Sequence, residues 1–146
     1  MNYNDVYTRM ALLGDVLGLA PAAKAMSETL MMRAHYSRTV KEFETAMEQV
    51  RTDTTPADGS ERTAEQEKLY NETVEAKARE DCGADDRRYS AAALEQICEA
   101  AMAKGAVKSA LAVAVTKDAE GKEKTAPGAQ IPAVAWLDLL AAHLAG

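Results

Sequence analysis

Histidine and cysteine occur twice each, as His35, His143, Cys82 and Cys98, tryptophan and phenylalanine once each, and proline four times in 146 residues. Two cysteines cannot staple a disulfide scaffold, and with no CxxC pair the inventory for a zinc site is nearly empty. No cofactor or metal is expected, and reduced thiols fit a cytosol-like compartment. No run approaches 18 consecutive apolar residues, which argues against a membrane span. Asn2, Asn4 and Asp5 stand where a secretory leader would carry Lys or Arg before an apolar stretch, so a soluble, non-exported protein is expected.

Large aliphatic residues are scarce as well: Leu, Ile, Val and Phe together number 24. That scarcity would suggest disorder at high net charge, but a net charge of −6 is mild, and the 30 alanines favour helix. The length suits one domain, 1–146. The acidity is concentrated in the middle third, where residues 53–89 carry eleven acidic and six basic groups. A pI near 5.0 argues against a general nucleic-acid partner, because phosphate neutralisation needs clustered Lys and Arg.

Apolar spacing predicts a first helix over 4–19, with Asn4 as N-cap and Val6, Met10, Leu13 and Leu17 on one face. Pro21 then suits the first turn of a second helix over 21–52. Its inner face reads Met32, Tyr36, Val40, Phe43, Met47 and Val50, spaced 4, 4, 3, 4 and 3. At 1.5 Å per residue such a helix is roughly 48 Å long, too long for so small a body, so it is expected to project and to be gripped by a partner. TDTTPADGS at 52–60 reads as a reversal, and Thr63 with Gln66 forms a capping-box pattern opening a third helix over 63–81, stopped by Gly83. Helices two and three therefore read as a long antiparallel hairpin.

Ser90 caps a fourth helix over 90–104, with Leu94, Ile97, Cys98, Ala101 and Met102 on its core face and Gly105 as its stop. Residues 106–126 leave strand and helix open; the β-branched residues favour a short strand and KDAEGKEK a β-hairpin turn, with APGAQ irregular. Pro132 opens a last helix over 132–145, with Trp136 as docking anchor among Ala133, Leu137, Leu140, Ala141 and Leu144. The fold class expected is mainly α: a long helical hairpin, a base formed by 4–19, 90–104 and 132–145, and a small β-hairpin near the C-terminus.

Chemistry is thin. A nucleophile needs a base within hydrogen-bond reach, and a helical His35 or His143 is usually surface or rim. Cys98 reads as a small core residue, and Cys82 sits among Asp81, Asp85 and Asp86, whose charge works against an activated thiolate. DCGADD at 81–86 lacks the alternating ligands of a calcium loop. Neither GxxxxGK[ST] nor GxGxxG occurs, and GDVLG at 14–18 lies inside a helical pattern. Basic residues on the second helix interleave with acidic ones, as in Arg38 and Glu42, which suits a solvated face.

Methionine stands out: Met26, Met31 and Met32 gather near Leu30. Met31 and Met32 point about 100° apart, so a single helix neighbour cannot bury both. Thioethers suit adaptable contact surfaces and equally ordinary gap-filling. The expected partner-contact residues are Met26, Leu30, Met31, Met32, Tyr36 and Trp136.

SRTVKEFETAMEQV at 37–50 resembles the R-x-x-V-x-E-F-E stretch of small helical proteins from tailed-phage and prophage structural gene regions, and IPAVAWLDLLAAHL at 131–144 resembles their closing proline-led helix. The resemblance implies a non-enzymatic virion or tail-assembly component, located in the cytoplasm of a bacterial host cell or in the virion, and assigns no functional residue. The residues taken alone point to the same class: a helical structural or assembly protein acting through protein partners or self-association, without membrane, nucleic-acid or small-molecule substrate contacts. Two alternatives remain: a regulatory adaptor binding through the acidic 53–89 region, and a small-ligand enzyme with His35 and Tyr36 facing a pocket.

Overall fold

The computed structural model describes residues 1–146. The order is α1 (Tyr3–Leu19), α2 (Ala23–Thr54), α3 (Ala64–Ala78), α4 (Ala91–Lys104), β1 (Ala106–Lys117), β2 (Glu123–Pro132) and α5 (Ala133–Leu144). The chain is mainly α with one small antiparallel β-hairpin, and α2 is an unbroken helix of 32 residues. Two compact units divide it: Met1–Tyr7 with His35–Asp85, and Thr8–Ala34 with Asp86–Gly146.

In the first unit, the Asn2 amide donates to the Asp5 carboxylate and the Asp5 amide to the Asn2 side chain, at 3.0 and 2.9 Å. This reciprocal pair caps α1, so Asn2 holds the position expected for Asn4. The Tyr3 ring meets Phe43 of α2 at 5.0 Å and carries Lys77 Nζ of α3 at 5.6 Å. Further along, Met47 and Arg51 of α2 share a hollow with Tyr70 of α3. Position 43 thus faces 77 and 51 faces 70, the pairing of antiparallel helices. The seam is looser than its spacing suggests, because Val40, Phe43, Met47 and Val50 are only half-buried.

Thr63 caps α3 in a full capping box with Gln66, but the helix ends at Ala78, ahead of the expected Gly83 stop. Residues 81–82 are taken by another strand of chain: Asp81 bridges Asn2, and the Cys82 amide donates to the Met1 carbonyl at 3.1 Å. Those backbone bonds cannot coexist with continued helix.

In the second unit, Val16, Ile97, Trp136, Leu140 and Leu144 are buried. Pro21 precedes α2 instead of opening it. The first-turn amide of Ala25 is satisfied by the Gln96 side chain of α4 at 2.9 Å, which fixes where the helix begins. Ser90 caps α4 and Gly105 ends it in the left-handed conformation (φ 74°). The buried face of α4 is Ala93, Ile97 and Ala101. Cys98 is exposed, as is Met102, so both leave the expected core. In a helix reading AAALEQICEAAMAK, alanines fill either face, and the face chosen lets the small ones meet neighbouring elements.

β1 and β2 form the hairpin, and the APGAQ stretch expected to be irregular lies within β2. Ser109 pairs with Ala129 and the next partners are Val113 and Pro127, so three residues of β1 oppose Gly128 alone. That bulge is accommodated by a φ of 96° at Gly128. At the tip, Asp118 Oδ1 accepts from the Glu120 and Lys122 amides, both at 2.9 Å, and Gly121 supplies a φ of 81°.

Candidate functional site

The residues expected to meet a partner separate by burial. Met32 and Tyr36 are 4% and 0% exposed, and Trp136 is 0% exposed. All three are internal in this conformation, so they are corrected from contact residues to packing residues. Met26 is half-buried. Leu30 and Met31 remain on the surface at 54% and 62%, so Met31 and Met32 do diverge.

The Tyr36 hydroxyl donates to the Asp85 carbonyl at 2.9 Å, and the His35 ring stands edge-on to it at 4.9 Å. This pair serves the 85 loop. His143 is half-buried near the end of α5. No group of three or more His, Cys, Asp and Glu is arranged to hold a metal ion. No helix is long and apolar enough to cross a membrane.

A polar node in the second unit escaped the sequence reading. Asp15 on α1 is 8% exposed, and its carboxylate accepts from the Ser109 hydroxyl at 2.7 Å, the Ala110 amide at 2.9 Å and the Trp136 indole at 3.0 Å. One side chain thus ties α1, the bulge of β1 and α5. The only sequence signal was an acid isolated in the apolar run ALLGDVLGLA. Beside it lies a cleft of about 560 Å³ lined by Ala11, Gly14, Gly18, Val107, Ala110 and Pro127, with Lys104 and Lys108 among its polar residues. At this cleft the Asp15 carboxylate is held by its three donors, and Lys104 donates to the Gly18 carbonyl at 3.2 Å.

A second polar cluster holds the 86–90 loop. Arg9, 5% exposed, reaches the Asp86 carboxylate at 2.7 Å and donates to the Arg87 carbonyl at 2.8 Å. Hydrogen bonds from Arg88 and Arg9 hold the Asp86 carboxyl below its ordinary value. At Glu28 burial pushes upward, but bonds from the Ser90 hydroxyl and amide, with Lys24 nearby, outweigh it and lower the carboxyl. Burial pushes the Tyr89 hydroxyl up to about 12, and that hydroxyl shares a 2.6 Å hydrogen bond with Thr29. These groups brace structure.

The remaining surface of note is the outer hairpin. The ladder places Val113, Val115, Thr125 and Pro127 on one face and Ala114, Thr116, Lys124 and Ala126 on the other. Val113 and Val115 are 59% and 60% exposed, and Leu111 38%. The two strands differ as edges. β2 carries Glu123, Lys124 and Pro127, whereas β1 from Ser109 to Thr116 has neither charge nor proline. Charged residues, proline and bulges are the usual guards of a strand edge, and β1 carries its own in the bulge at 110–112. Near its base β1 is covered by Asp15, which takes the Ala110 amide, and the Leu111 amide donates to the Ser109 hydroxyl at 3.2 Å; the sheet has two strands.

No family model matches the chain, and neither a curated protein nor a solved structure matches it significantly.

Proposed function

We propose that this chain is a non-enzymatic structural or assembly protein that works through contacts with further copies of itself and with neighbouring proteins. The observation that supports this reading is the outer hairpin, a two-stranded ribbon exposing Leu111, Val113 and Val115. An isolated ribbon is marginal in water and gains stability from further strands or a packed face. The exposed Leu30 and Met31 on α2 add a second apolar surface of the same kind. The sequence resemblance to phage structural-region proteins extends the reading to a virion or tail-assembly component, present in a bacterial host's cytoplasm or in the particle.

The adaptor alternative would use exposed acids of residues 53–89, and it requires binding that weakens with salt. The enzyme alternative would use His35 and Tyr36 at a pocket, and it requires turnover that is lost on His35→Ala with the fold intact. Size-exclusion chromatography with light scattering on the intact chain tests the proposal. A mass that is a multiple of the 15.7 kDa chain is expected; a monomer at every concentration up to near-millimolar overturns it.

A further inference from the structure

We infer that the hollow shared by the first turns of α1, α2 and α3 is a binding site for a small quaternary ammonium cation of the choline type, held by Tyr7, Phe43, Tyr70 and the Glu44 carboxylate. The hollow lies wholly within the first compact unit, which does not include the hairpin, so the inference is separate from the proposed self-assembly.

Aromatic residues are scarce in this chain, which has five tyrosines, one phenylalanine and one tryptophan. Yet Tyr7, Phe43 and Tyr70 line a single hollow of about 300 Å³, with the Met47 thioether beside them. The Tyr7 and Phe43 rings are 5.5 Å apart and nearly perpendicular, at 74°, so they make adjoining walls. The face of an aromatic ring is electronegative and attracts a cation within about 6 Å of its centre. Rings of this group already do so with the chain's own cations: Arg62 stands over Tyr70 at 4.2 Å and Lys77 over Tyr3 at 5.6 Å.

Charge adds a second, independent reason. Glu44, Glu48 and Arg51 complete the lining. The ion pairs of α2 are Lys24 with Glu28, Arg38 with Glu42 and Arg51 with Glu48, which leaves Glu44 without one and the hollow with a net negative charge. Glu44 and Glu48 stand four residues apart on the helix, where like charges repel, and a bound cation relieves that repulsion. The Tyr7 hydroxyl is raised by burial and then by the charge of Glu44, so this carboxylate acts at the Tyr7 wall.

The walls also select the kind of cation. A primary ammonium brings three N–H donors, more than rings, a thioether and one unpaired carboxylate satisfy well. A quaternary nitrogen brings none, and its methyl groups pack against the rings. The volume is at the small end for ligand sites, which suits a compact head group whose tail remains in solvent.

The test titrates choline into the full-length chain and follows its N-methyl proton resonance by NMR, with the neutral isostere in which carbon replaces nitrogen as comparison. A saturable upfield shift is expected, with the isostere binding roughly tenfold more weakly. Tyr7→Leu and Glu44→Gln should each weaken choline binding several-fold, Glu44→Lys should abolish it by placing a cation in the hollow, and Leu69→Gln, outside the lining, should leave it unchanged. Glu44 is exposed, so its variants keep the fold and decide the matter even if Tyr7→Leu unsettles packing. The absence of a saturable shift at high millimolar choline would overturn the inference. So would an isostere that binds as tightly as choline, the mark of a plain apolar hollow, or binding unchanged in Glu44→Gln and Glu44→Lys, the mark of diffuse attraction to an acidic chain.

Discussion

Asp15 shows how one side chain decides local architecture. A carboxylate that is 8% exposed is tolerable only when its oxygens are satisfied, and Ser109, Ala110 and Trp136 supply the donors. Hydrogen bonds to a charged group contribute about 1.5–3 kcal/mol each and are not additive. Asp15→Ala is therefore expected to cost about 3 kcal/mol or more in denaturant melts, with Asp15→Asn losing less; an unchanged midpoint would remove the node from the account. Its acidic counterparts at the 86–90 loop set a pH dependence. The folded carboxyls of Asp86 and Glu28 lie below their ordinary values of 3.8 and 4.5. The unfolded chain therefore binds more protons in that window. The stabilisation is complete above about pH 4.5 and is lost as pH falls through the folded values. Thermal melts should show the loss on acidification, and Asp86→Asn with Glu28→Gln should flatten it.

At the scale of elements, much was legible where local chemistry is strict. Thr63 with Gln66, Ser90 with Gly105, and the Gly121 turn each satisfy backbone demands that few residues can meet, so α3, α4 and the hairpin began or ended as read. What failed to show in the sequence depended on distant partners. The end of α3 is decided by Met1 and Asn2, the start of α2 by Gln96, and the rotation of α4 by how alanines pack. Asp15, and with it the best-defined polar site, was hidden because an acid in a helix ordinarily reads as solvated. The bulge of the hairpin depends on Gly128, whose φ of 96° strains any L side chain and where a Cβ would lie 2.9 Å from the Lys108 Cε. Gly128→Ala should cost about 1–2 kcal/mol and should raise exchange locally across the hairpin; unaltered exchange there would show that the bulge is incidental.

For the molecule as a whole, the most exposed apolar surface includes a place other than the one the sequence suggested. Met32, Tyr36 and Trp136 are spent on the interior, while the hairpin exposes Leu111, Val113 and Val115. The central claim of the proposed function is that copies meet through the outer hairpin, and amide hydrogen exchange resolved by residue tests it most directly. In a lone hairpin only alternate amides of β1 from Val113 to Thr116, beyond the bulge, face β2, and the others exchange freely. If two copies pair, consecutive amides through this stretch should all be slow at concentrations where the assembly forms. Alternation that persists in the assembled protein would contradict the claim.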